Sequence, residues 1–128
     1  FQSGGQLFVD AYRRAAPHPF GSSMAADIFA SGVVQSDTDY RIFVKHGNVT
    51  GIDLAFYRES FAYHTALDNL DNLRDGSLQH EGANVLAYVR HVLLHDILRR
   101  AALPAVPVVY FDVFQVRRCA VAPLLQPR

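Results

Sequence analysis

The hydrophobic pattern of this chain changes period as it proceeds. From Gln6 to Ala16 the apolar residues Leu7, Phe8, Ala11, Tyr12 and Ala15 recur at helical spacing. Arg13 and Arg14 fall near the C-terminal end, where cations suit the helix dipole, and Pro17 and Pro19 stop the helix. Ser22 or Ser23 caps a second helix through Met24, Ile28 and Phe29, ended by Gly32. Asp37 or Thr38 caps a short third helix carrying Tyr40, Ile42 and Phe43, and Gly47 to Gly51 reads as a turn. Ile52 to Tyr57 then alternates, with Ile52, Leu54 and Phe56 on one face and Asp53, Ala55 and Tyr57 on the other, which predicts a strand. Arg58 to Gly76 is a long polar loop of the kind that usually carries function. Ser77 caps the longest element, a helix from Leu78 to about Ala102. Its stripe is Leu78, Val85, Leu86, Val89, Val92, Leu93 and Ile97, while Arg90, His91, His95, Arg99 and Arg100 take the rest. Pro104 and Pro107 punctuate, and Val108 to Phe114 reads as a further strand. Helices interleaved with strands place the chain in the α/β class.

Composition narrows the function classes. At 128 residues this is one domain or part of one. Half the residues are apolar and 19% are charged, which fits a packed core and argues against disorder. Twelve basic and twelve acidic residues cancel, so no electrostatic case for nucleic acid exists. The single Cys119 excludes an internal disulfide and a cysteine-cluster metal site. No apolar run approaches the ~20 residues of a membrane span. The chain starts at Phe1-Gln2-Ser3-Gly4-Gly5, without an initiator methionine, which reads as the end of a strand entering a turn. A segment of a larger polypeptide is therefore expected, with apolar surface exposed where missing strands would lie.

The most informative stretch for chemistry is Tyr63-His64-Thr65-Ala66-Leu67-Asp68. A histidine on the loop after a strand stands where open α/β sheets place metal ligands. Neutral imidazole is the commonest such ligand, and a nearby carboxylate fixes its tautomer. The competing reading of a lone His-x-x-x-Asp is a surface pair or a helix cap. His91 and His95 have zincin-like spacing, but Val92-Leu93-Leu94 between them lacks the glutamate of that motif, so a solvated basic helix face is expected. His18, His46 and His80 show no metal spacing with carboxylates. Pro17-His18-Pro19-Phe20 reads as a rigid connector with Phe20 packed inward. Tyr40, Tyr57 and Tyr63 are candidates for lining a substrate pocket or binding an oxyanion, with buried structural tyrosine the equal alternative. Asn48-Val49-Thr50 is a glycosylation sequon on a turn, compatible with a luminal location.

Five blocks occur in one order: Ala16-Pro17-His18-Pro19-Phe20-Gly21-Ser22, Ser36-Asp37-Thr38-Asp39-Tyr40-Arg41-Ile42-Phe43, Gly51-Ile52-Asp53-Leu54-Ala55-Phe56-Tyr57, Tyr63-His64-Thr65 with Asp68, and Asn84-Val85-Leu86-Ala87. Together they resemble the C-terminal part of the catalytic domain in the endoplasmic reticulum metallopeptidase and vacuolar membrane protease type of di-zinc aminopeptidase. The resemblance runs from Phe1 to about Val113. It implies a mixed-sheet zinc-exopeptidase fold with helices packed on the sheet, and a split into residues 1–103 of that domain and a divergent tail, 104–128. It implies hydrolysis of peptide bonds, by an aminopeptidase-type reaction using two zinc ions. His64 would bind one zinc, while Asp37 and Asp68 would order the site loops without binding metal. The other ligands and the catalytic base would lie upstream of Phe1, leaving no catalytic residue in this chain and the isolated chain inactive. The implied partners are a peptide substrate and the remainder of the same polypeptide, with no nucleic acid and with membrane association only through segments outside this chain. The implied location is the endoplasmic reticulum membrane, with a luminal catalytic domain, or the vacuolar membrane. Arg117-Arg118-Cys119 and the proline-containing tail depart from the family's apolar continuation. The alternative from another class is an inactive, aminopeptidase-like interaction module.

Overall fold

The computed structural model describes residues 2–31, 38–56, 60–100, 108–112 and 119–123. The elements are β1 (Gln2–Ser3), α1 (Gln6–Ala15), α2 (Ser23–Ala30), α3 (Asp39–Gly47), β2 (Ile52–Asp53), α4 (Ser77–Leu94), α5 (Ile97–Arg100), β3 (Val108–Asp112) and β4 (Cys119–Pro123). Single 3₁₀ turns at Ser60–Ala62 and Leu70–Asn72 lie between β2 and α4.

The first helix forms where its periodicity predicts. Phe8, Ala11 and Tyr12 are buried, and Val9, outside the anticipated stripe, is fully enclosed, so α1 is covered on more than one side. Arg13 and Arg14 occupy its last turn, and Ala16 turns extended ahead of Pro17. The apolar core joins Phe8, Ala11, Val92 and Ile97, with Leu7, Ile52 and Tyr88 packed against it. Helix α1 thereby lies against α4, α5 and β4, while α2 lies near β1 and β3. Phe20 is half-buried and Pro19 fully so, in keeping with an inward-packed connector.

The strands are shorter than the alternation suggests. β2 covers Ile52 and Asp53 and pairs antiparallel with β1, Gln2 opposite Asp53 and Ser3 opposite Ile52. Leu54 to Phe56 follow β2 without strand assignment, and Tyr57 lies beyond the described residues. Gly4 makes the approach possible. Its N–H donates to the Gly51 carbonyl at 2.7 Å, and a Cβ there would overlap the Thr50 hydroxyl. The second sheet pairs β3 with β4, antiparallel, from Val108 opposite Pro123 to Asp112 opposite Cys119. Tyr110 points inward and is buried, while Val109 and Phe111 face outward, the period of two expected of a half-covered strand. Strand β4 falls in the stretch read from sequence as a polar tail. The α/β content is as expected. The described strands form two separate antiparallel pairs.

The long helix departs from expectation in three ways. It starts at Ser77, but its N-cap is Gly76 at φ 83°, and Ser77 is its first helical residue rather than its cap. It ends at Leu94, because Asp96 adopts a left-handed conformation (φ 52°) and breaks the ladder before α5. Residues 101–107 lie outside the described structure. Its inward face is also rotated from the apolar stripe. Asn84 and Val92 are buried and Tyr88 packs on the core, whereas Leu78 is 75% exposed, Leu86 52% and Leu93 66%. Contact with α1 selects the Asn84–Tyr88–Val92 side, which leaves an apolar face and a shallow groove by Leu78, Gly82, Ala83 and Leu86 open. No helix among the described residues is long and apolar enough to cross a membrane.

Candidate functional site

His64 sits on a knuckle that the loop builds for itself. The 3₁₀ turn Ser60–Ala62 leads into Tyr63 and His64, and Thr65 closes the turn: its amide and its hydroxyl both donate to the Ala62 carbonyl, at 3.0 and 2.7 Å. The Leu67 amide then donates to the Thr65 hydroxyl (3.1 Å) and the Asp68 amide to the Thr65 carbonyl (3.1 Å). Beyond it, the Asn69 side chain accepts from the Asp71 and Asn72 amides and donates to the Ala66 carbonyl. The anticipated long loop is thus a series of locally hydrogen-bonded turns.

These turns force His64 to φ 61°, the left-handed region, where a side-chain-bearing residue is held at a cost of about 1–2 kcal/mol. Its exposed imidazole stacks on the Tyr63 ring, with centroids 3.9 Å apart and planes 20° from parallel. Both nitrogens of such a ring lie at its edge, so stacking orients the ring without occupying a lone pair. Asp68 is exposed, and no hydrogen bond or ion pair joins it to His64. Its observed part is in the backbone of the turn.

The other anticipated site residues lie elsewhere. Asp37 and Tyr57 fall outside the described residues. Tyr40, in the first turn of α3, donates its hydroxyl to the Gly51 carbonyl at 3.4 Å. Burial raises its pKa, the nearby Asp53 raises it further, and the Gly51 hydrogen bond opposes both. Asn48 is exposed in a left-handed C-cap of α3 at φ 49°, while the hydroxyl of Thr50, the third residue of its sequon, donates to the Gly4 carbonyl. His91 and His95 lie 4.3 Å apart between ring centroids on the last turns of α4. Partial burial, then His95, then Arg14 lower the His91 pKa.

Two functional-looking features escaped the sequence. Asn84 is 1% exposed and clamps the Pro17–Pro19 connector: its Oδ1 accepts from the His18 amide and its Nδ2 donates to the His18 carbonyl, both at 3.0 Å. The signals in the sequence were a polar residue inside a long apolar-periodic helix and its place in the block Asn84-Val85-Leu86-Ala87, neither of which names the partner. The other is a tie from Thr38 to Asp53, which no local pattern announces, because its partners lie fifteen residues apart.

Tyr88 adds a titration test. Burial, then Tyr40, pushes its pKa from 10.0 up to about 12. The neutral phenol is therefore the form the fold favours, so its stabilising contribution is present below pH 10 and is lost as the pH rises through about 12. In an alkaline titration followed by phenolate absorbance, Tyr88 and Tyr40 should ionise later than an exposed tyrosine, and Tyr88→Phe should remove the Tyr88 part of that late step.

Among the described residues no group of three or more histidines, cysteines or carboxylates comes together to hold a metal ion. His64 is a single exposed imidazole on a hydrogen-bonded turn, and a catalytic zinc ordinarily takes about three protein ligands. The described residues therefore do not form a complete zinc site by themselves.

The architecture is that of α/β segments presenting one exposed histidine on a strained turn. The sequence profile of peptidase family M28 matches residues 1–89, and the chain belongs to that family. It is similar to "Endoplasmic reticulum metallopeptidase 1" of Homo sapiens, 43% identical over 104 residues, covering 80% of this chain and 12% of the relative. "Putative endoplasmic reticulum metallopeptidase 1" of Schizosaccharomyces pombe is 37% identical over 114 residues, 89% of this chain and 14% of the relative. "Vacuolar membrane protease" of Colletotrichum graminicola is 45% identical over 74 residues, 58% of this chain and 7% of the relative. The chain thus spans about an eighth of the length of the first two relatives. No solved structure matches it significantly.

Proposed function

We propose that this chain is part of the catalytic domain of a zinc-dependent metallopeptidase that hydrolyses peptide bonds, removing residues from the N-terminus of peptides. The observation that carries this reading is the pairing of M28 membership with an exposed His64 held at φ 61° on a hydrogen-bonded turn. His64 is one ligand of a two-zinc centre whose other ligands come from elsewhere in the polypeptide. Bound zinc supplies Lewis-acid polarisation and water activation near neutral pH. Tyr63 stacks on the ligand ring and fixes its plane, and Asp68 helps close the turn that presents it. Tyr40 and Tyr63 line the substrate pocket, Asp37 orders a site loop without binding metal, and the open face of α4 receives the remainder of the polypeptide. The relatives' names support a location at the endoplasmic reticulum or vacuolar membrane, with Asn48 on the luminal side.

The test uses the complete polypeptide on aminoacyl substrates. Turnover should disappear on chelation and return with added zinc, while the 128 residues alone should show none. Turnover that survives thorough chelation would remove the metal from the account.

A further inference from the structure

The sequon Asn48-Val49-Thr50 falls where α3 ends, and its acceptor is open. Asn48 is exposed, and among the described residues its side chain enters no hydrogen bond. Its backbone stands at φ 49° and ψ 34°, a left-handed conformation that asparagine tolerates better than most side-chain-bearing residues, and its amide closes the helix on the Phe43 carbonyl. Val49, the middle residue, is 56% exposed, so it also faces solvent.

The third residue is held differently. A sequon requires a hydroxyl at that position, so the hydroxyl itself has to reach the transferring enzyme. Thr50 is half-buried, and its hydroxyl donates to the Gly4 carbonyl at 3.3 Å. The Gly4 amide donates to the neighbouring Gly51 carbonyl at 2.7 Å, and a Cβ on Gly4 would overlap the Thr50 hydroxyl. Gly4 follows β1 directly and Gly51 precedes β2, so these bonds carry the β1–β2 pairing one step further. Once that pair has closed, the acceptor amide is open but the hydroxyl required beside it is engaged.

We propose that Asn48 carries an N-linked glycan, attached before β1 closes on β2. It rests on the luminal placement proposed above and on no step of the peptidase reaction. The donor is a polyisoprenyl-diphosphate oligosaccharide. Asn48 Nδ2 bonds to the anomeric carbon of the first sugar. The bond from that carbon to the diphosphate oxygen breaks, its electron pair leaves on the diphosphate, and one amide proton passes to a base. The attached chain, bulky and polar, stands at the end of α3 beside Phe43 and Val44, which are 58% and 44% exposed.

Mass spectrometry of the peptide holding residue 48 tests this, before and after enzymatic glycan removal, in the complete polypeptide made in cells that glycosylate in the secretory lumen. Most wild-type molecules should carry the glycan. Asn48→Asp, which has the same shape and tolerates the left-handed backbone, should carry none. Thr50→Val should carry none although its acceptor is intact, and Thr50→Ser should keep a substantial share. Asp75→Asn, an isosteric change at an exposed residue, completes a second sequon with Gly76 and Ser77 and reports the lumen independently. If that reporter is glycosylated and residue 48 is not, the inference falls and the luminal placement stands; if neither is, both fall. Polypeptide made while donor synthesis is blocked, and chased after donor is restored, should stay bare at residue 48. Late gain of the glycan by the folded wild type would overturn the order of events.

Discussion

His64→Ala, made in the complete polypeptide, should reduce peptidase turnover by more than about a hundredfold and lower bound zinc by about one ion, with expression largely intact. Three observations support an effect on chemistry rather than on folding. The side chain is exposed, so truncating it removes only the stacking on the equally exposed Tyr63 ring and no core packing. The turn's hydrogen bonds run through Thr65, Ala62 and backbone groups and do not involve the imidazole. Alanine at φ 61° pays a strain penalty like that of histidine, so the backbone is not relieved. Asp68→Asn should do less, by about tenfold to a hundredfold at most, since its observed contribution is to the turn. His91→Ala, on the far end of α4, should leave both zinc and rate near the wild-type level.

The largest effect on stability is expected at Asn84. Asn84→Ala removes three hydrogen bonds in a nearly water-free position: the pair to the His18 backbone at 3.0 Å and the longer bond, 3.5 Å, to the Tyr12 hydroxyl. The His18 N–H and C=O then lose their partner, at about 1–3 kcal/mol for each group left unsatisfied. A loss of about 2–4 kcal/mol follows, large against the stability of a small domain. Denaturant unfolding should show a lower midpoint, and hydrogen exchange at the His18 amide should quicken more than elsewhere. Asn84→Leu, similar in volume, should not recover the loss, because the missing element is the donor and acceptor pair. His80→Ala is the comparison. His80 stacks on His18 at 5.4 Å but is exposed, so its removal should cost well under 1 kcal/mol.

Much of the fold was legible because it is local. The α1 stripe, its stop ahead of Pro17, the start of β2 at Ile52 and the strand from Val108 all follow from periodicity and breakers acting over a few residues. Misreadings came where a distant partner decides. The inward face of α4 depends on where α1 docks, which turned Leu78, Leu86 and Leu93 outward and Asn84 inward. Strand β4 exists through pairing with β3, and the proline and arginines around it hid the short apolar run. At the candidate site, Tyr63 and His64 were readable as a motif. The left-handed backbone that presents the imidazole, and the tie from Thr38 to Asp53, come from hydrogen-bond closure that spacing does not encode.

The proposed peptidase site requires His64 to be a zinc ligand. The most direct measurement is anomalous X-ray diffraction at the zinc edge from crystals of the complete polypeptide, which locates each metal against the protein. One zinc should lie about 2.0–2.1 Å from a ring nitrogen of His64, with carboxylates or imidazoles from other parts of the polypeptide completing its sphere. Zinc bound at a family-type site with His64 turned away from it would contradict the assignment and return His64 to the role of a strained turn residue.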